Sequence, residues 1–568
     1  MQREAGKVPA SFKCALLFFP RCFHNGRGFF ITGGGGENTI GDMDLLRTSA
    51  LVTAFSAAEH CLGFLYRILL SRTLGAEGLG RYQMALTVFS VLLMLSASGL
   101  PATLSRTVAA HRTRGDKRAE RSAVTAALLL SFGVSLLFEV LLFALRPFFS
   151  GVFSDEGAER LFYILLLGLP PTAVYAVLRG YFWGEKRFFL YSFTELSEEA
   201  VMIAAGSCLL VFCPLALAKE TLAAGAVLLS RLVSFSLAFG CFLARGGAFA
   251  SPKRAVKPLL SSALPLTAMR AASSLTGMLV SFLFPLCLTA AGATSQEAMA
   301  EYGVVYGMVM PVMLIPSAFL SSAALVLVPE FSECAARGER EKLAALTKKA
   351  VSAALLIAGA LLPLYAVLGR DIGILLFDSP KSGVLIALGA LLLLPMSVSM
   401  IAGSLLNSLR CEKHTLFIFL AGAGAMIVCV VCLAGKLGSG ALLCGMAAEH
   451  TLSAVLSLAV LKKKTGTAGE KKLLFKVLLS SCIAIAFGLA LRKFFLLHLS
   501  FLPALVCLFV LLLIGEAALF ALFWPADLRA LLRRVLPSGK RAAKAGNTRK
   551  ILPSRGIFSG VLLTRRKK

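Results

Sequence analysis

The chain has 568 residues, 57% of them hydrophobic and 15% charged, with a mean hydropathy of +0.81. Soluble domains carry about 25% charged residues, so a soluble globular protein is excluded, and the long continuous apolar runs exclude the alternating strands of an outer-membrane barrel. The net charge of +28 sits in alternate short loops and in the C-terminal tail, as cytoplasmic loops require, so no nucleic-acid partner is expected.

Residues 1–42 match nothing downstream and read as an extension outside the fold, with Met43 opening MDLLRTSALVTAF as a normal start for a first membrane helix. From there the apolar windows, each long enough to cross a bilayer core of about 30 Å, predict an all-α polytopic membrane protein of about fourteen transmembrane helices. The first six fall near 46–70, 83–109, 122–146, 160–182, 189–213 and 219–243. The next six fall near 258–288, 299–328, 346–369, 382–407, 415–435 and 438–461, and two more near 473–497 and 501–524. No loop is large enough for a soluble catalytic domain.

The loops HRTRGDKRAER (111–121), ARGGAFASPKRAVK (244–257), ECAARGEREK (333–342) and KKKTGTAGEKK (462–472) are strongly basic, and the tail after Trp524 holds thirteen Lys and Arg against Asp527. Fourteen helices put all of these on one side, so both termini are expected in the cytoplasm of a bacterial cell.

Two segments recur. Gly115-Asp116-Lys117, after the second helix, matches Gly338-Glu339-Arg340 after the eighth, and Glu185-Lys186 after the fourth matches Glu412-Lys413 after the tenth. An internal repeat follows: an N-lobe over 43–250, a C-lobe over 251–465, two extra helices over 466–526 and a basic tail over 527–568. Repeats of the same orientation are related by an axis along the membrane normal, with the substrate path between them.

Ionisable groups inside a membrane helix are costly and face a cavity or a partner. In LRGYFWGEKRFFLYSFTELSEEAVMI (178–203), Glu195, Glu198 and Glu199 share one helical face, which cannot look at lipid. They read either as a cation or proton site or as partners of neighbouring arginines. Arg231 lies deep in the sixth helix and is expected to pair with one of them. Arg270 lies a dozen residues into the seventh helix. Arg67, Arg106 and Arg179 lie nearer helix ends, where they are able to snorkel. Glu59-His60 and Glu449-His450 are acid–imidazole neighbours that suit either proton transfer or local pairing.

Pro-Gly interruptions at SGLPA (98–102), LGLPPTA (167–173) and VMPVMLIPSAF (309–319) are expected to kink or break their helices. The corner GEKRFF is expected as a turn with its charges in water. The 14 cysteines are scattered singly; Cys429 and Cys432 lack a second ligand pair, so no metal site and no cofactor is expected.

The segments LGFLYRILLSRTLGAEGLGRYQMA (62–85), SGLPATLSRTVAAHRTRGD (98–116), LRGYFWGEKRF (178–188), ALPLTAMRAASSL (263–275) and LVPEFSECAARGE (327–339) resemble the stage V sporulation protein B branch of the polysaccharide exporters. These belong to the multidrug/oligosaccharidyl-lipid/polysaccharide flippase superfamily, which also holds the lipid II flippases. The resemblance implies two six-helix lobes around a central cavity, plus a two-helix groove for a lipid tail. It implies a polyprenyl-pyrophosphate-linked saccharide as substrate, with Arg270, Arg231, Arg67, Arg106 and Arg179 as candidate headgroup ligands. Glu198, Glu195, Glu199, Glu59 and His60 are candidates for ion or proton coupling. The chain departs from the family pattern at His60, where a basic residue usually precedes the LGF, and at Met202, where an Arg usually follows the acid.

A flippase of lipid-linked cell-wall or capsule precursors is thus the leading expectation, acting as a monomer in the cytoplasmic membrane and not as an enzyme. A proton- or sodium-coupled exporter of drugs or organic cations is the alternative. A membrane glycosyltransferase fits poorly, because among the seven Asp the sole Asp-x-Asp is Asp42-Met43-Asp44.

Overall fold

The computed structural model describes residues 40–523 apart from 150–152, 154, 213–217, 410, 468, 470 and 499. The expectations for residues 1–39 and for the basic tail lie outside this range. The described residues contain no β-strand. The described residues from Phe55 to Phe523 pack as one compact unit; the unit before it contributes the start of the first helix.

The helices of the first half are α1 (Ile40–Ala97), α2 (Gly99–Thr113), α3 (Lys117–Ala144), α4 (Glu156–Leu166), α5 (Leu169–Gly184), α6 (Phe188–Phe212) and α7 (Lys219–Ala244). Then follow α8 (Lys253–Ala290), α9 (Ser295–Gly303), α10 (Ile315–Ala336), α11 (Arg340–Phe377), α12 (Pro380–Gly389) and α13 (Leu393–Ser408). The last four are α14 (Glu412–Leu437), α15 (Ser439–Thr465), α16 (Lys471–His498) and α17 (Phe501–Phe523).

By length and hydropathy, eleven described helices are able to cross a membrane, or twelve when the bent pair α4–α5 counts as one span. The difference from the expected fourteen arises at two places. The stretch Ala54–Thr113 runs as one apolar, helical segment of 60 residues, about 90 Å at 1.5 Å per residue and far longer than one crossing. Gly75 divides it, with φ 69° and ψ −176°, a conformation glycine adopts without steric cost. The second place is α6, which is helical for 25 residues but carries Glu195, Glu198 and Glu199.

The proline-bearing segments break as expected. α4 and α5 meet at 53°, a turn separates α1 from α2 at Ser98, and a π-helical turn over Val304–Val309 precedes Pro311. π-Turns often accompany functional sites.

Glycines set the closest approaches. A Cβ on Gly180 would lie 2.5 Å from Pro101 backbone, and one on Gly184 2.7 Å from the Ser105 carbonyl, so Gly-x-x-x-Gly on α5 lets α2 pack directly on it. α8 reaches across to α2 and α3: Gly99 N donates to Thr267 Oγ1 at 3.1 Å. In the second half α11 is the hub, packed by α10, α12, α13, α16 and α17. Asp371 on α11 and Arg492 on α16 form a bidentate pair at 2.9 Å for both contacts.

One expectation for the GEKRFF corner is corrected. Lys186 takes a left-handed turn at φ 60°, but the Glu185 carboxylate is buried rather than in water. It pairs with Arg112 at 2.6 Å and Arg187 at 3.0 Å, because α2 comes close enough to place Arg112 over it.

Candidate substrate cavity and its charged wall

A cavity of about 650 Å³ opens between α1, α2, α5, α6 and α8. Its polar lining is Arg106 on α2, Arg179 on α5, Tyr191 on α6, Arg270 on α8, and Ser98 and Ser105; Trp183, Leu93, Met94 and Pro101 supply apolar wall. Among the described residues no carboxylate lines it. It lies in the half of the fold nearer the basic loops that follow α2 and α5.

Each arginine is placed by a local device. The α1–α2 break at Ser98 leaves a carbonyl facing α8, and Arg270 Nη1 donates to it at 3.0 Å. Arg106 Nε has only a long contact of 3.3 Å to the Ala102 carbonyl, so most of its donors remain available. Arg179 donates to the Tyr191 hydroxyl at 2.7 Å, lies 4.5 Å over the Tyr191 ring, and pairs with Glu195. A guanidinium held by an aromatic face and a carboxylate is fixed in direction. Its Nε is buried and has no acceptor among the described residues.

Behind the cavity is a second layer. Arg231 on α7 pairs with Glu198 on α6, as expected from the sequence. Glu199 sits directly on Gly63 of α1, where an added Cβ would be 2.8 Å from its Oε1, and Arg67 is its electrostatic neighbour. Tyr66 lies against Gly206, 2.2 Å from an added Cβ to its hydroxyl. Gly63 and Gly206 therefore let α1 and α6 approach. Glu59 is coupled electrostatically to Glu195, Arg179 and Glu199.

The structure thus brings Glu59, Arg67, Arg179, Glu195, Glu198, Glu199 and Arg231 into one network rather than separate arginine and carboxylate sites. Arg179 is not a snorkelling residue, since its charge is met inside the fold. Arg106 and Arg270 face the cavity on its other side, without carboxylate partners among the described residues. His60 stands exposed and outside the network. No group of three metal-ligating side chains occurs among the described residues.

A cluster that sequence reasoning passed over closes the opposite side. Arg81 pairs with Asp155 at 2.8 and 3.1 Å, with Glu77 at 2.6 Å and with Glu220 at 3.3 Å. Ser295, the first residue of α9, donates to Asp155 at 3.3 Å. Arg72 donates to the carbonyls of Leu375 and Leu376, capping the C-terminal end of α11, where a cation complements the helix dipole. The signal was in the quoted GAEGLGR, where Gly75 turns the chain, Gly80 allows a close backbone approach and Arg81 holds the carboxylates.

The profile of the family described as "Polysaccharide biosynthesis protein" matches residues 45–335. The chain belongs to this family. Stage V sporulation protein B of Bacillus subtilis (strain 168) is 28% identical over 304 residues, 51% of this chain and 58% of that protein. Lipid II flippase MurJ of the same organism is 23% identical over 168 residues, 28% of this chain and 31% of that protein. The chain therefore aligns with less than two thirds of these relatives' lengths.

Among solved structures, "Lipid II flippase MurJ, inward closed conformation" superposes with a TM-score of 0.64 at 13% identity, over 84% of this chain and 99% of that one. An inward-facing multidrug resistance MATE family transporter of the MOP superfamily gives 0.61 at 16% identity, over 72% and 94%. These likenesses show the fold alone, an all-helical arrangement like that of those two proteins.

Proposed function

We propose that this polysaccharide-biosynthesis family member is a flippase for a lipid-linked saccharide of the polyprenyl-pyrophosphate type, working by alternating access in the bacterial cytoplasmic membrane. The observation that carries this reading is the cavity itself, which presents Arg106, Arg179 and Arg270 with no carboxylate in its lining among the described residues. Arginine forks suit the paired oxygens of a pyrophosphate, and a volume of about 650 Å³ falls in the range of small-molecule sites. Tyr191 and Trp183 offer stacking faces to a sugar.

On this reading the basic loops and both termini are cytoplasmic, the cavity is open toward the cytoplasmic half, and the Arg81–Asp155–Ser295 cluster holds the outer side shut. The two six-helix repeats are the moving bodies. α16 and α17, fixed to α11 by Arg492–Asp371, extend the C-lobe and shelter the lipid tail. The chain acts as a monomer and performs no covalent chemistry. The inside-negative potential favours outward movement of an anionic headgroup by about 2.3 kcal/mol per charge per 100 mV.

The exporter of organic cations is the second reading, favoured by the carboxylates of α6. Two of the three are tied to arginines, Glu195 to Arg179 and Glu198 to Arg231, which leaves Glu199 and Glu59 as the acids for a coupling ion in either reading.

Binding of an undecaprenyl-pyrophosphate disaccharide to the purified protein tests the proposal. Arg106→Gln and Arg270→Gln are each expected to weaken binding by about tenfold or more, the typical size of a lost charge-assisted contact. Unchanged affinity in both variants would overturn it.

A further inference from the structure

A second, smaller cavity of about 330 Å³ lies on the basic-loop side, away from the one described above. Three turns converge on it: the loop between α2 and α3, the corner between α5 and α6, and the turn after α7. We infer that it binds a phosphate-bearing anion, either the headgroup of an anionic phospholipid or a free phosphate.

The floor of this cavity is already neutral. Glu185 and Glu120 are both met by Arg112, at 2.6 and 3.4 Å, and Glu185 also by Arg187 at 3.0 Å. Those two carboxylates therefore have no charge left to offer a cation. At the mouth stand Lys117, Arg121 and Arg245. All three are exposed, and none has a carboxylate partner among the described residues.

The backbone brings these cations to a single mouth. Gly115 and Gly246 take φ of 72° and 80° with nothing within 4 Å of an added Cβ. Their conformation, not lack of room, demands glycine. Gly115 turns the chain so that Lys117 opens α3 above the floor, and Gly246 turns it directly after Arg245. The Tyr181 and Phe242 rings, edge to face at 5.3 Å, make the wall beneath. A concave site with neutral floor and three free cations attracts an anion and repels organic cations. On the proposed orientation its depth is that of the cytoplasmic headgroups, where anionic lipids concentrate positive side chains.

The test uses the full chain purified in dodecyl maltoside micelles doped with phosphatidylglycerol or with phosphatidylcholine, with retained lipid counted by native mass spectrometry. The wild type is expected to retain phosphatidylglycerol in preference to phosphatidylcholine. The variant Lys117→Gln/Arg121→Gln/Arg245→Gln is expected to lose this preference by about tenfold or more. The charge-conserving variant Lys117→Arg/Arg121→Lys/Arg245→Lys is expected to keep it, which separates lost charge from lost folding.

Arg106→Gln/Arg270→Gln serves as a control and is expected to leave retention unchanged, so failure of the central-cavity proposal and failure of this one are read separately. Displacement of the lipid by inorganic pyrophosphate would assign a free anion as ligand, and resistance to it the lipid headgroup. Equal retention of both lipids by the wild type, or undiminished preference in the triple Gln variant, would overturn the inference.

Discussion

Gly80 and Gly303 meet backbone to backbone. A Cβ on Gly80 would lie 2.0 Å from the Met299 carbonyl oxygen, and one on Gly303 2.0 Å from that of Ala76. No side chain fits either position without moving α1 away from α9. The contact joins the two halves of the chain next to the Arg81–Asp155–Ser295 cluster, and on the proposed function it is a seal made of small residues.

Enlarging Gly80 should open that side. Overpacking a tight contact costs about 1–3 kcal/mol, enough to shift a two-state equilibrium by about five- to 150-fold. In a cysteine-free background, Met299→Cys is expected to resist a membrane-impermeant maleimide applied from outside, since Met299 is fully buried. Adding Gly80→Leu is expected to make it react readily. Equal labelling with and without Gly80→Leu would count against a seal at this place.

Arg81→Met removes the cation that three carboxylates share and leaves Asp155, only 6% exposed, without its partner. Stranding one member of a buried pair costs about 3–5 kcal/mol. The expected result is a clearly lower thermal midpoint in detergent, with part of the loss restored by adding Asp155→Asn. A midpoint equal to that of wild type would show that the cluster is not holding the outer side.

Arg231 and Glu198 should behave as one unit. Arg231→Met or Glu198→Gln alone leaves the other side chain's charge without its partner, and each is expected to reduce stability and transport strongly. The double variant is expected to lose less than the sum of the singles, because the stranded charge is gone. Additive losses in a double-mutant cycle would mean that the two side chains act independently.

Much of this fold is legible in the residues. The apolar windows fall on the described membrane-length helices, although eleven or twelve spans are found rather than fourteen, and SGLPA, LGLPPTA and VMPVMLIPSAF each mark a true break, because proline removes a backbone donor wherever it falls. The pairing of Arg231 with an α6 carboxylate follows from cost alone, since an isolated charge does not persist in lipid. Other features are not legible. Glu185 looks like a loop charge until α2 places Arg112 over it, and periodicity within one helix says nothing of what a second helix brings. Gly80 and Gly303 lie far apart in sequence, and only the packed fold shows that each exists for the other. For the same reason only the packed fold shows that Arg179 is joined to Glu195 as Arg231 is to Glu198.

The most direct measurement follows transbilayer movement of a fluorescent undecaprenyl-pyrophosphate disaccharide in proteoliposomes holding the wild type, Arg270→Gln or Arg106→Gln. Movement by the wild type that falls by about tenfold or more in both variants, the scale of one lost charge-assisted contact, is the predicted result. Absence of lipid movement by the wild type, together with efflux of an organic cation that survives both substitutions and stops with Glu199→Gln, would contradict the account and identify a cation exporter instead.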